Sequence, residues 1–128
     1  MAIVGAHMLL YTPEADALRA MLRDVFRFKS VDAGGGWLIF ALPPAELGVH
    51  PSGDPANKSA SVHQLSFMCD DIAATIEELK SRGVHFDSGS REEEFGIVAM
   101  MSLPGNVKVM LYEPHHKTAI GMTGSSSG

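Results

Sequence analysis

Four side chains of the types that move protons or hold ions fall in short strand-like segments: His7, Glu46, His50 and Gln64. Alternate side chains of a β-strand point to opposite faces of a sheet, so the parity of each residue predicts its face. In each of these segments the four polar residues have the parity opposite to that of the apolar residues. The sequence therefore predicts that the four polar groups share one open face, while the apolar rows pack beneath helices. These apolar rows are Met8 and Leu10; Leu47 and Val49; Leu65, Phe67 and Cys69; and Val107, Val109 and Leu111.

The strands and helices predicted to position these residues occur as two copies of the same order of elements. Each copy opens with an apolar strand, 4–12 or 62–69, then runs as an amphipathic helix and continues into three more strand-like segments. The first helix is predicted from Pro13 to about Phe26, with Arg19 and Arg23 solvated, and the second from the cap at Asp70-Asp71 to Gly83. The pattern predicts an α+β fold of two βαβββ modules.

The predicted boundaries are a first module over 1–51, a linker over 52–61, a second module over 62–114 and a polar, flexible tail over 115–128. The two modules and the linker make one structural domain. The remaining strands are predicted at Phe28–Val31, Trp37–Leu42 and Ala45–His50 in the first module, and at Val84–Phe86, Gly96–Leu103 and Val107–Tyr112 in the second, with a polar loop over Asp87–Glu94.

Composition narrows the class of protein. A chain of 128 residues with 45% hydrophobic and 20% charged residues fits one globular domain. The net charge of -5 and the absence of a Lys/Arg cluster argue against nucleic-acid and membrane-surface partners. The sequence has no apolar run of about eighteen residues and no signal-like start, so a soluble cytoplasmic protein is expected. The single Cys69 is predicted to be a buried thiol.

In the order and spacing of four segments, the chain resembles the glyoxalase, bleomycin-resistance and extradiol-dioxygenase superfamily, also called vicinal oxygen chelate proteins. The segments are the opening strand with His7, the helix exit Arg23–Phe28, the helix start at Asp70-Asp71, and the turn Leu103–Asn106 with the strand end Leu111–Pro114. The resemblance extends from about Ile3 to Pro114. It implies two βαβββ modules whose curved sheets enclose a cavity, a homodimer, and in many members a divalent metal such as Fe, Mn, Ni or Zn.

In enzymes of that superfamily the metal ligands stand on the first and fourth strands of each module. Carried over to this chain, the resemblance implies His7, then Glu46 or His50, then Gln64, with Met110 in the fourth position. A thioether is a poor ligand for hard divalent ions, so the fourth position departs from the pattern. The implied metal ligands are therefore His7, His50 and Gln64, with Glu46 as the group that moves a proton.

Two alternatives stay open at this point. A shift of one residue in strand register would bring His63 to the open face in place of Gln64, although it would also turn Phe67 away from the helix. The second alternative concerns function: a metal-dependent lyase or dioxygenase acting on vicinal oxygens, or a metal-free protein that binds an aromatic or drug-like small molecule. The side chains predicted to line the ligand pocket are Tyr11, Trp37, Met68, Lys108, Met110 and Tyr112. Lys108 in that set points to an anionic ligand.

Overall fold

The computed structural model describes residues 6–49 and 63–121. His50, the predicted linker 52–61 and the last part of the predicted tail lie outside the described residues. The elements follow in the order α1 (Ala15–Asp24), β1 (Ser30–Asp32), β2 (Leu38–Phe40), β3 (Ser66–Met68), α2 (Ile72–Ser81), β4 (His85–Phe86), β5 (Arg91–Glu93), β6 (Gly96–Leu103) and β7 (Val107–Pro114).

The second half follows the predicted order of a strand, a helix and further strands, with one strand more than the βαβββ pattern. Its strands lie in the order β3-β7-β6-β4, with β3 parallel to β7 and the other pairs antiparallel. A parallel pair needs a long crossover connection, and α2 begins that connection directly after β3. The first strand therefore lies beside the last strand of the same unit. β5 pairs with β6 inside the segment Asp87–Glu94 that was predicted to be a loop, so that prediction was wrong there.

The main core lies between α2 and this sheet. Asp71 caps α2, because its side chain accepts a hydrogen bond from the Ala74 amide at 3.1 Å. The predicted helix stripe and the predicted strand rows meet in one cluster whose central members are almost fully buried, so the parity prediction for the second half is confirmed. The cluster includes Phe67, Ile72, Ile76, Leu79, Met101, Val109 and Leu111.

The first helix packs against the same core. Leu18 of α1 is 4% exposed and belongs to the cluster, with Met21 and Leu22 packed beside it. Phe26 and Phe28, just after α1, each place their ring centroids 5.3 Å from that of Phe67 on β3. Edge-to-face contacts of this kind add to the stabilisation from burial alone. The two halves of the chain therefore share one hydrophobic core.

Only part of the predicted first module is present among the described residues. β1 and β2 form the predicted antiparallel hairpin, and Asp32 Oδ1 accepts hydrogen bonds from the amides of Gly34 and Gly36 in its turn. Residues 6–12 and 45–49 form no strand. Leu47 and Val49, expected beneath α1, are 90% and 92% exposed. The alternation in these segments was strand-like, but the described residues supply no neighbouring strand to pair with them.

The N-terminal segment is instead anchored on the turn between β6 and β7. The Thr12 hydroxyl donates to the Pro104 carbonyl oxygen at 3.1 Å, and the Gly105 amide donates to Glu14 Oε2 at 2.5 Å. Gly105 has a φ of +81°, and a Cβ added there would overlap Thr12 Oγ1. The turn therefore requires glycine both for its backbone conformation and for the close approach of Thr12.

The beginning of the predicted tail also contacts the domain. The His115 amide donates to the Phe95 carbonyl oxygen at 2.8 Å, and the His116 ring lies 5.7 Å from that of Tyr112. Within 6–49 and 63–121, neither helix is long and apolar enough to cross a lipid bilayer.

Candidate functional site

The sheet face that points away from α2 carries two positions that the resemblance implied for metal ligands. One is on the first strand of the second module and the other is on its last strand. Ser66 is the register partner of Met110, and Met68 that of Tyr112. Gln64 precedes this ladder and donates from Nε2 to Met110 Sδ at 3.7 Å. Since Leu65 packs against the core, the register places Gln64 on the open face, as predicted.

Glu46 reaches the same face from the first half of the chain. Its Oε2 accepts a hydrogen bond from the Ala119 amide at 2.8 Å. Burial raises the pKa of the Tyr112 phenol, and the nearby charge of Glu46 raises that pKa further. The Tyr112 hydroxyl donates to the Phe95 carbonyl oxygen at 3.0 Å. In this arrangement Glu46 holds a residue of the tail and the phenol stays protonated at neutral pH.

Lys108 lies on this face but is already paired. Its Nζ lies 2.8 Å from Asp87 Oδ2 and 2.5 Å from Ser102 Oγ. The hydrogen bond from Lys108, followed by that from Ser102, lowers the pKa of the Asp87 carboxyl below its ordinary value. The charge of Lys108 is therefore balanced within the protein by Asp87, and a contact between Lys108 and an anionic ligand stays a prediction.

The described residues do not fit the metal site that the resemblance implies. Within 6–49 and 63–121, no three His, Cys, Asp or Glu side chains lie close enough together to hold a metal ion. The Gln64 side chain donates a hydrogen bond to a thioether sulfur, and the Glu46 carboxylate accepts a hydrogen bond from a backbone amide. A thioether is a poor partner for hard divalent ions. His50, another of the implied metal ligands, lies outside the described residues.

An apolar cavity of about 240 Å³ lies between α1, β2 and the N-terminal segment. Two of the residues that line it, His7 and Trp37, were predicted from the sequence to have a functional role. Its walls are otherwise mainly aliphatic and aromatic: Ala6, Met8, Leu9, Leu10, Thr12, Ala15, Leu18, Arg19, Leu22, Phe28, Leu38, Ile39, Phe40, Leu42, Leu65 and Phe67. The predicted pocket residues are therefore divided between this cavity and the open sheet face. Tyr11 does not line the cavity, and it is 86% exposed.

Arg19 is a cavity residue that the sequence analysis missed. It was predicted to be solvated, but its side chain is only 22% exposed, and its guanidinium carbon lies 4.7 Å from the centroid of the Trp37 ring. This is a cation–π distance. Its position three residues before Leu22 places it at the border of the apolar stripe, and that position is the signal that could have found it.

No family model and no curated protein matches the chain. Solved structures do resemble it. An antibiotic binding protein of a Streptomyces species, TnmS3, is 22% identical with a TM-score of 0.58, over 88% of this chain and 99% of that chain. Lactoylglutathione lyase from Agrobacterium tumefaciens is 19% identical with a TM-score of 0.57, over 88% of this chain and 96% of that chain.

The fosfomycin resistance protein FosX from Listeria monocytogenes is 14% identical with a TM-score of 0.56, over 88% of this chain and 94% of that chain. A structure from Sphaerobacter thermophilus is described as a member of the glyoxalase, bleomycin resistance protein and dioxygenase superfamily, and it is 19% identical with a TM-score of 0.57, over 88% of this chain and 98% of that chain. These likenesses show the fold, and they confirm the α+β fold to which the sequence resemblance pointed.

Proposed function

Starting from the glyoxalase fold of this chain, we propose that the protein binds an aromatic small molecule without a metal ion, in the cavity between α1, β2 and the N-terminal segment. The observation that carries this proposal is the cavity itself, since apolar walls with a few polar groups are typical of ligand sites. The fold alone does not choose a function, because enzymes and binding proteins share it.

The size of the cavity limits the ligand. An apolar cavity of roughly 150 Å³ is enough to hold benzene. The volume of about 240 Å³ therefore fits a ligand of one or two aromatic rings. Trp37, at one wall, offers a flat face on which such a ring can stack.

The proposal is tested by measuring the binding of naphthamide, an uncharged two-ring probe, by isothermal titration calorimetry. The Ala15→Leu variant adds carbon atoms at the cavity wall. Overfilling a packed site costs about 1–3 kcal/mol, so we expect the affinity for naphthamide to fall about tenfold or more. Because the new side chain fills an empty space, the melting temperature of the free protein should not fall.

Ala17→Leu is the matched control, since Ala17 lies on the exposed side of α1. It should leave naphthamide binding unchanged. If the wild-type protein does not bind naphthamide, or if both leucine variants bind it as the wild type does, the cavity is not a ligand site and the proposal is wrong.

The second candidate is the metal-dependent lyase or dioxygenase. The observation in its favour is that Gln64 and Glu46 both come to the open face of the second sheet, where the superfamily's enzymes place ligands. Elemental analysis of protein purified without chelator separates the two candidates. Stoichiometric metal that is lost in both His7→Ala and His50→Ala would favour the enzyme, and its absence from the wild type would leave the binding protein.

The proposal includes a homodimer. In its support, large apolar side chains of the first half stay exposed, among them Tyr11, Leu47 and Val49. Large apolar side chains that are exposed in a single chain are often covered at an interface between subunits. Light scattering of the purified protein should give the mass of two chains, and the mass of a single chain of 13.7 kDa would contradict this part of the proposal.

A further inference from the structure

Among the described residues, the cavity wall carries a positive charge and no negative charge. Arg19 is the one permanently charged residue among the described residues that line the cavity, and no aspartate or glutamate lines it. The other ionisable group there is the imidazole of His7. From this asymmetry we infer that the ligand is an aromatic anion, a carboxylate or a phenolate, held by Arg19. The inference rests on the proposed function and names the class of ligand for that same site.

Among the described residues, Arg19 makes one hydrogen bond, from Nη1 to Asp16 Oδ1 at 3.0 Å, and no described acceptor lies within hydrogen-bond distance of its Nε and Nη2. A guanidinium offers a planar fork of donors that matches a carboxylate. The side chain can therefore bind an anion and keep its position over Trp37.

The ion pair with Asp16 does not compete strongly with a ligand. The Asp16 side chain is fully exposed, whereas that of Arg19 is 22% exposed. Exposed pairs of this kind contribute little to stability, because water screens them. Because most of the Arg19 side chain is shielded from water, an anion that binds against its shielded side is screened less than Asp16 is at the surface.

The overall charge of the chain does not supply this preference. The net charge of -5 repels anions at long range. At physiological ionic strength such repulsion is screened beyond about 8 Å. A preference for an anion must therefore come from a contact inside the cavity, and Arg19 is the residue placed to make that contact.

The test compares naphthoate with naphthamide, two probes of nearly equal shape that differ in charge. Binding is measured by calorimetry to the wild-type protein and to the Arg19→Met variant. We expect the wild type to bind naphthoate about tenfold more tightly than naphthamide, the size of effect typical of a hydrogen bond to a charged group. Arg19→Met should remove that preference, so that the variant binds the two probes with equal affinity.

Two variants control the experiment. Arg23→Met removes a positive charge from the exposed side of α1, where Arg23 is paired with Asp24, and it should keep the preference for naphthoate. Arg19→Lys keeps the charge but loses the fork, so it should keep part of the preference. Equal affinities of the wild type for the two probes would overturn the inference and leave the proposed function standing. If neither probe binds, both fail.

Discussion

Gly105→Ala is the substitution that best tests how the two halves of the chain are joined. At a φ of +81° an L-residue is strained by about 1–2 kcal/mol. The added methyl group would also overlap Thr12 Oγ1, and relieving such an overlap costs about 1–3 kcal/mol. Together these effects predict a loss of about 3 kcal/mol in the free energy of unfolding.

Gly35→Ala separates the two contributions. Gly35, in the turn between β1 and β2, also has a positive φ, of +62°, but no described atom lies within 4 Å of the position that a Cβ would take. We expect this control to lose only the strain, about 1 kcal/mol. For a chain of this length, 1 kcal/mol corresponds to about 4 °C in melting temperature, so the two variants should differ by roughly 8 °C.

A double-mutant cycle with Thr12→Gly tests whether the greater cost of Gly105→Ala comes from the contact of the new methyl group with Thr12. Thr12→Gly removes the two atoms that the new methyl group would overlap, Oγ1 and Cβ of Thr12, and leaves Pro13 Cδ at an ordinary contact distance of 3.5 Å. In that background Gly105→Ala should cost no more than Gly35→Ala does in the wild type. Urea denaturation followed by circular dichroism measures all four corners of the cycle. Additive costs, or equal costs for the two alanine variants in the wild-type background, would refute the anchoring of the N-terminal segment on this turn.

Asp71→Ala should lose about 1 kcal/mol of stability in urea denaturation, because it removes the cap of α2, whereas Asp70→Ala should be nearly neutral. Lys108→Met should return the pKa of Asp87 towards its ordinary value in an NMR titration. Because that pKa is lowered in the folded state, Asp87 stabilises the protein above about pH 4 and loses this effect as the pH falls through the folded pKa. Met101→Ala, at a fully buried site, should cost about 3 kcal/mol, and a loss below 1 kcal/mol would contradict the described core.

The fold of the second half could be predicted from its sequence because each strand there has a buried partner. The alternation of Phe67, Val109 and Leu111 with residues of the open face is a local signal, and burial beneath α2 fixes the register that the signal implies. β6 was predicted with its observed bounds, Gly96–Leu103, for the same reason. Arg91–Glu93 has no such alternation, and it becomes a strand only because β6 lies beside it.

The first half shows the limit of the same signal. Leu47 and Val49 alternate as strand residues do, yet alternation gives a strand only where a neighbouring strand supplies hydrogen bonds. Such a neighbour is not a property of the segment itself. The ion pair of Lys108 could not be predicted for a similar reason, since Asp87 reaches it only through the pairing of the folded sheet.

The candidate site was predictable residue by residue more than as a whole. Parity correctly placed Gln64 on the face of Met110, the resemblance drew attention to His7, and Trp37 was predicted as a ring on which a ligand could stack. The resemblance also implied one shared cavity. Instead, the predicted residues are divided between a polar sheet face and an apolar cavity. This division depends on how α1 packs against β2, and a local sequence pattern does not predict that packing.

Phe28 and Phe67 belong to the wall of the cavity as well as to the phenylalanine cluster that joins the two halves. Occupancy of the cavity is thereby linked to the unfolding equilibrium of the entire chain, and a ligand present at a hundred times its dissociation constant would add about 2.7 kcal/mol of stability. A substitution at either of these two positions that changes the ligand preference must also keep the fold stable. Diversification is easier at Trp37 and Arg19, which contact the cavity from outside that cluster.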